Sequence, residues 1–225
     1  MTTDATRRRV LMRASLWAGL PAAGLLAGCG SLGSLLPPAS PAPSLFALDD
    51  ATPSPAAAPS PAPPATAPTL IVNTPRAAAG FDTPRILYVR KAHELEAFAH
   101  SQWVDTPAQM LAPLIGKALE RTGAVRAVLL APTAAAAELR LDTELLRLQH
   151  EFLVQPSRVR VTVRAVLIDI ATRRVVAWRE FDTSVASATE DPYGGVVAAN
   201  QAVTKLLAEL AAFCAQAAAQ QPASR

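Results

Sequence analysis

The sequence predicts an α/β fold of the α+β type: one domain with a mixed, mostly antiparallel sheet covered by two main helices. Two observations carry this prediction. Between residues 137 and 185, three long segments alternate apolar and polar residues and are separated by short turns, as in an antiparallel meander. On either side of this region, one segment repeats apolar residues at helical spacing. About 155 residues remain after the N-terminal segments discussed below, enough for a domain with its own core.

Four short segments come first along the chain. Residues 45–49 are predicted to be a short edge strand, although their Pro- and Ala-rich surroundings leave a plain linker as the alternative. Residues 69–73 and 85–90 are apolar runs rich in strand-forming residues, and Pro84 leads into the second run. Residues 94–100 are predicted to form a short helical turn, because two of their apolar side chains lie three positions apart.

The first main helix has recognisable start and stop signals. Thr106 is a suitable N-cap, Pro107 suits the first helical position, and Gly123 suits the C-terminal stop. A short strand at 125–130 is predicted to follow the helix. The helix itself has one apolar stripe, formed by Met110, Leu111, Leu114, Ile115, Ala118 and Leu119.

The meander and a long helix complete the domain. Residues 137–148 alternate as far as Leu145 and then change phase, which predicts a β-bulge. Residues 159–167 and 175–185 are the second and third strands. The second main helix is predicted at 193–219, with a core-facing stripe of Val196, Ala199, Val203, Leu206, Leu207, Leu210, Phe213 and Cys214.

The N-terminus has the layout of an export signal with a lipid attachment site. A short apolar region at 16–26 ends in the tetrad Leu-Ala-Gly-Cys at 26–29, which resembles the bacterial lipobox. In that motif the cysteine carries acyl chains and the chain is cut before it, so we predict a signal peptide at 1–28 and lipid attachment, palmitate included, at Cys29. The alternative is an ordinary secretory signal with a chance cysteine. The basic residues before the apolar region are Arg7, Arg8, Arg9 and Arg13.

Two further features bear on export and destination. Residues 6–11 also resemble a twin-arginine signal, which leaves the export route open. Gly30 stands where an aspartate would retain an enteric lipoprotein at the inner membrane, so we expect the outer membrane, facing the periplasm. Residues 29–68 are then a lipidated N-terminus and Pro/Ala-rich tether, whose part before the first strand reaches roughly 40 Å. The domain is predicted at 69–221 and a tail at 222–225.

Removal of the signal also changes the charge balance. The full chain has 21 basic and 18 acidic residues, and the signal takes four arginines and Asp4, which leaves 17 of each. A formally neutral mature chain removes the main electrostatic argument for nucleic-acid binding. With lipid on Cys29, Cys214 has no disulfide partner. It is predicted to be a small buried apolar residue, with a reactive thiol as the alternative.

The sequence contains no pattern typical of a catalytic, cofactor or metal site. Gly194 and Gly195 lack the other residues of a phosphate loop, and no serine lies in a Gly-x-Ser-x-Gly turn. No cysteine or carboxylate completes a metal site around His93, His100 or His150. We therefore predict a non-enzymatic protein with no catalytic, cofactor-binding or metal-binding residues.

Two groups of side chains have alternative interpretations. Tyr88 and Trp103 could anchor a partner protein, but packing in the core is the preferred interpretation. Arg160, Arg164 and Arg179 could form a basic strip on the sheet or could pair with acidic residues across strands.

Several short strings occur in order along the chain. They are Pro75-Arg76 with Ala79-Gly80, TPRILYV at 83–89, WVDTPAQML at 103–111, RLDTEL at 140–145 and AANQA at 198–202. In this order they resemble the ABC-type transport auxiliary lipoprotein family, over residues 45–213. The chain departs from the family pattern in the long Pro/Ala insertion after Asp49, which leaves that loop in doubt.

The resemblance implies partners. Family members are periplasm-facing lipoproteins of ABC systems that move lipids or other hydrophobic compounds between membranes. Their expected companions are a periplasmic MCE-domain protein, an ABC permease and an ATPase, and a homo-oligomer is left open. The alternatives are a free-standing lipoprotein that binds a lipid or small hydrophobe, and an envelope assembly lipoprotein.

Overall fold

The computed structural model describes residues 42–49, 62–64 and 66–220. Within these residues the chain forms nine strands and two helices. In chain order they are β1 (Ser44–Phe46), β2 (Thr69–Val72), β3 (Arg76–Ala77), β4 (Arg85–Lys91), β5 (Glu94–Trp103), α1 (Pro107–Glu120), β6 (Ala127–Leu130), β7 (Leu139–Glu151), β8 (Arg158–Asp169), β9 (Val175–Ala186) and α2 (Pro192–Ala219).

The long strand β7 organises the sheet, because its two edges are used differently. On one edge it pairs antiparallel with β8, which pairs antiparallel with β9. On the other edge it pairs in parallel with three short strands in succession, first β2, then β3 and finally β4. Beyond these, β6 flanks β2, and β5 and β1 continue the sheet past β4. Among the described residues β9 is therefore an edge strand.

The predicted mixed sheet and meander are confirmed. The ladders of β7 with β8 and of β8 with β9 are antiparallel and long, whereas each parallel ladder has only two to four registered pairs. The register of β7 against β8 shifts between Leu145 and Arg147, which places the predicted bulge at Leu146. The bulge moves the buried positions from Leu145 to Leu148, an odd to an even position.

The helical turn predicted at 94–100 is wrong, because these residues form most of β5. β5 returns antiparallel along β4, and His93 takes the hairpin turn with a φ of 68°. The rings of Tyr88 and Phe98 lie 4.5 Å apart, and the Tyr88 hydroxyl donates a hydrogen bond to Glu96 at 2.8 Å. Such cross-strand contacts stabilise a sheet, and here they override the helical spacing. The two-residue strand β3 was also not predicted.

The first helix begins and ends at its predicted signals. Thr106 is the N-cap and Pro107 is the first helical residue, but the Thr106 side chain makes no capping hydrogen bond. The Asp105 carboxylate instead accepts the Thr106 N–H at 2.6 Å. Gly123 has a φ of 63°, a left-handed conformation that glycine adopts without a steric penalty, so it suits the turn after the helix.

The two helices enclose one core with the sheet. α2 packs on β8 and β9, α1 packs on β2, β6 and β7, and the helices contact each other. By length and composition α2 could span a membrane, but half of its most apolar stretch is buried inside the fold, as expected of a core helix. The largest fully buried side chains are Phe181, Leu70, Leu111, Ile115, Leu119, Leu139, Leu141, Leu145, Leu167, Leu206, Leu210 and His150.

Candidate docking surfaces

A surface groove of about 700 Å³ lies between β1 and α2. The side chains of Leu45 and Tyr193 are 62% and 64% exposed there, and the rings of Phe46 and Tyr193 lie 6.3 Å apart. A largely apolar lining with a few polar groups is typical of a binding surface rather than of a catalytic centre. The polar groups come mainly from α2 and are Asn200, Gln201, Thr204 and Lys205.

Asn200 fixes the chain at one side of this groove. Its Nδ2 donates to the carbonyl oxygen of Ala47 at 3.2 Å, and its Oδ1 accepts the Asp49 N–H at 2.8 Å. Between these two residues, Leu48 is buried and its N–H lies 3.4 Å from the Met110 sulfur in α1. Asn200 of α2 and Met110 of α1 therefore hold the segment that follows β1 against both helices.

A second groove of about 280 Å³ lies between α1 and α2 and shares Asp49 and Thr204 with the first. Several small side chains from the two helices line this groove. These small residues are Ala118, Ala208, Ala211 and Ala212.

A buried histidine lies where β7 meets the start of α2. His150 Nε2 lies 2.8 Å from the Ser157 hydroxyl, and the Ser157 N–H donates to Glu190 at 2.9 Å. Burial lowers the pKa of His150, an effect that the charges of Glu190 and Asp191 partly oppose. A serine beside a histidine is the geometry of an activated nucleophile. However, Ser157 is 0% exposed, so this hydroxyl is inaccessible to a substrate and the pair is a structural contact.

The paired glycines at the start of α2 are explained by close packing. A Cβ on Gly195 would lie 2.5 Å from His150 Nδ1, and a Cβ on Gly194 would collide with Thr189. The Gly194 N–H donates at 2.7 Å to the N-cap Asp191, and this bond is the main cause of the lowered pKa of that carboxyl. The glycines let the helix sit directly on the histidine.

The other predicted chemistry-bearing residues lie apart. Within the part of the chain that the structure describes, no group of three His, Cys, Asp or Glu residues could hold a metal ion. His93 lies at the β4–β5 turn and His100 lies on β5, and both are exposed. Cys214 is buried as predicted, and burial raises the pKa of its thiol to about 12, which makes the thiolate scarce.

The structure distinguishes the alternative interpretations of the two aromatic residues and the three meander arginines. Tyr88 and Trp103 are 8% and 4% exposed and pack in the core region, as preferred. Arg160 pairs with Asp182 at 2.6 Å, so the cross-strand interpretation holds for it. Arg164 likewise bonds two acids on neighbouring strands. Arg179 differs, because its guanidinium lies 4.9 Å from the centre of the Phe181 ring.

The predicted lipid-attachment residue, Cys29, lies outside the described residues, as does most of the predicted tether. Sequence reasoning missed three features that the structure shows: the Asn200 bridge, the His150–Ser157 pair and the exposure of Trp178. An asparagine within an alanine-rich helix was the available signal for the first. The His150–Ser157 pair depends on long-range packing and had no local signal. The alternation along 175–185 predicts opposite faces for Trp178 and Phe181, but it does not show which face a helix covers.

A family model described as ABC-type transport auxiliary lipoprotein component matches residues 46–211, from the end of β1 into α2. The solved structure of protein XCC0632 from Xanthomonas campestris, of the DUF330 family model, is 24% identical with a TM-score of 0.65. That match covers 80% of this chain and 95% of the other.

A second solved structure, of an uncharacterized protein, is 11% identical with a TM-score of 0.59 and covers 77% of this chain and 99% of the other. At these identities the two structures show a shared fold alone. No curated protein matches the sequence significantly.

Proposed function

Because this chain belongs to the ABC-type transport auxiliary lipoprotein family, we propose that it is a non-catalytic subunit of one ABC system. The subunit faces the periplasm and is held in the outer membrane by lipid on Cys29. The system also contains a permease, an ATPase and a periplasmic MCE-domain protein, and it moves lipids or other hydrophobic compounds between the membranes.

The observation that carries this proposal is the extent of the family match. Residues 46–211 include strands β2–β9, α1 and most of α2, so the match covers nearly the whole described fold. The internal chemistry is consistent with a non-catalytic role. The nearest arrangement to a catalytic pair, His150 with Ser157, is buried, and the thiol of Cys214 is buried with a raised pKa.

The test is recovery of the partners from membranes. The lipidated protein, carrying a C-terminal affinity tag, is isolated in mild detergent and its companions are identified by mass spectrometry. We expect an MCE-domain protein, a permease and an ATPase at levels well above those from untagged cells. Recovery of the tagged protein without any of the three would overturn the proposal.

A matched variant separates anchoring from folding. Cys29→Ser removes the predicted acylation site and leaves the described fold untouched, because that fold begins at residue 42. We expect this variant to leave the membrane fraction while its circular dichroism and unfolding midpoint stay the same. Retention of Cys29→Ser in the membrane fraction after a high-salt wash, which removes weak electrostatic contacts with lipid, contradicts the lipid anchor, provided that signal cleavage is confirmed.

A free-standing lipid-binding lipoprotein is the second candidate, and the groove between β1 and α2 favours it. A volume of about 700 Å³ is within the range of ligand pockets. Lipid extracted from the purified protein and identified by mass spectrometry, together with failure to recover any transporter component, would favour this candidate.

A further inference from the structure

The turn between β8 and β9 combines exposed apolar and basic side chains. Residues 170–179 contain three arginines and no acidic residue, although the mature chain as a whole is formally neutral. Trp178 is 66% exposed, Val175 57% and Ile170 36%. We call this surface the tryptophan–arginine tip, which consists of Ile170, Arg173, Arg174, Val175 and Trp178.

Trp178 is exposed because it lies on the face of β9 opposite to the buried Phe181. Trp178 pairs with Val166 of β8, and β9 has no partner on its other edge among the described residues. A tryptophan has an apolar ring and one N–H donor, and such side chains are enriched where a bilayer meets water. The side chain therefore has the surface chemistry of an interfacial residue, and most of it is free to contact a bilayer.

The positive charge of the tip is available to a partner. Arg173 and Arg174 are both exposed, and neither forms an ion pair with a described residue. The nearest acid in sequence, Asp169, is engaged within the turn. Its carboxylate accepts the Thr172 N–H at 2.7 Å and the Thr172 hydroxyl at 2.8 Å. The two guanidinium groups are thus exposed and form no ion pair with a described residue.

We propose that the tryptophan–arginine tip binds the anionic phospholipid surface of a bilayer. Arginines attract anionic headgroups while the apolar side chains enter the interface. Because the chain belongs to a lipoprotein family, an anchored molecule already stays near a membrane, and a weak second contact then suffices to orient the domain. The contact needs no transporter partner, so it can fail or succeed independently of the proposed function.

The test measures vesicle binding by the mature chain, residues 29–225, with serine in place of Cys29. Vesicles of phosphatidylcholine mixed with phosphatidylglycerol are compared with vesicles of phosphatidylcholine alone. We expect the protein to sediment with the anionic vesicles and not with the neutral ones. Binding should weaken as salt is raised above about 0.15 M, because salt screens the attraction.

Tryptophan fluorescence shows which part of the molecule contacts the lipid. The mature chain has two tryptophans, of which Trp103 is 4% exposed and Trp178 is 66% exposed. We expect anionic vesicles to shift the emission to the blue, and Trp178→Phe to abolish this shift while keeping most of the binding. Trp178→Ser should weaken binding by about tenfold, because it removes a large apolar side chain.

Paired charge variants complete the test. Arg173→Asn with Arg174→Gln should weaken binding by roughly fivefold for each arginine. Asparagine is chosen because Arg173 has a φ of 59°, which asparagine tolerates. The control, Arg76→Gln with Arg85→Gln, removes the same charge from two exposed positions on other strands and should bind like the parent.

Three results would overturn the proposal. The first is equal binding to neutral and anionic vesicles, or none to either. The second is equal loss of binding in the two charge variants. The third is a dimer in solution that Trp178→Ser abolishes while vesicles bind no protein, because the tip then contacts a second copy of the chain.

Discussion

The two faces of the meander are built from alternate residues of the same three strands, yet they hold opposite kinds of side chain. On the face under α2, one row across the strands consists of Leu145, Val163 and Phe181, which are at most 2% exposed. One position along, the row on the other face consists of Glu144, Arg164 and Glu180. There Arg164 bonds the two acids at 3.5 and 3.2 Å.

This difference shows which face supplies stability and which is free for contact. Burying one large apolar side chain contributes about 1.5–3 kcal/mol, whereas an exposed ion pair contributes about 0–1 kcal/mol. The face under α2 therefore supplies most of the stability, and substitutions there should lower the free energy of unfolding most. The open face can change, or meet a partner, with little effect on stability.

The largest expected difference is between two aromatic residues of β9, three positions apart. Phe181→Ala should lower the free energy of unfolding by about 3–5 kcal/mol, because Phe181 is 1% exposed and packs edge-on against Phe213 at 5.7 Å. Trp178→Ala, on the open face, should change it by less than about 0.5 kcal/mol. Urea unfolding followed by circular dichroism measures both. Equal losses of unfolding free energy in the two variants would contradict this difference in stability between the faces.

The second-largest loss of stability is expected where α2 packs on His150. Gly195→Ala should destabilise the fold by about 1–3 kcal/mol, although alanine is the better helix former, because the new methyl group collides with the imidazole. A double-mutant cycle with His150→Ala, measured by urea unfolding, identifies the cause. The double variant should lose less free energy of unfolding than the sum of the losses in the two single variants. Strictly additive losses would show that the alanine methyl group does not collide with His150.

The buried histidine also predicts a pH dependence. Burial lowers the pKa of His150. Below the ordinary value of about 6.5, the unfolded chain therefore binds a proton that the folded chain does not. Stability should be at its full value above pH about 6.5 and should fall as the pH drops from there towards the lowered pKa.

Unfolding midpoints measured at several pH values test this prediction, with His150→Gln as the control in which the decline is reduced. The lowered carboxyl pKa values of Glu138, Asp169, Asp182, Glu190 and Asp191 act only below pH about 4.5, so the decline caused by His150 begins at a higher pH than theirs. A decline of equal size in His150→Gln would exclude His150 as its source.

The smallest loss of stability is expected from breaking an ion pair on the open face. Arg160 and Asp182 pair at 2.6 Å with both side chains about 40% exposed, and Asp182 also accepts a bond from Thr162 at 2.7 Å. Asp182→Asn should cost about 0.2–1 kcal/mol, and the loss should shrink at high salt. Chemical unfolding at low and high salt measures it. A loss as large as that of Phe181→Ala would contradict the division between the faces.

Local sequence signals predicted the elements whose partners are nearby in the chain. The Thr106–Pro107 start, the bulge after Leu145 and the alternation of β8 all depend on neighbours within one element, and each is confirmed. The error at 94–100 has the opposite cause. The conformation of those residues depends on pairing with β4, and a spacing of three is common to a helical stripe and to a bulged strand.

The docking surfaces were less predictable for the same reason. Nothing near Asn200 in sequence shows that Ala47 and Asp49, about 150 positions away, will accept and donate its hydrogen bonds. Likewise, Trp178 could not be told from a core residue by type, because its exposure depends on which face of β9 is covered by α2. By contrast, the lipid-attachment prediction for Cys29 depends on a local motif and needs no fold.

The bridge from Asn200 also determines how the domain would carry mechanical load. In a chain anchored at Cys29, a pulling force enters the described fold just before Ser44. The first interactions to bear this force are the three registered pairs between β1 and β5. The next are the two hydrogen bonds of Asn200 with Ala47 and Asp49, which follow β1. Release of residues 44–49 would, by this segment alone, add roughly 20 Å of chain before the core while the meander and α2 stay folded. If Cys29 carries the anchor, these residues would therefore be the first part of the described fold to detach under load.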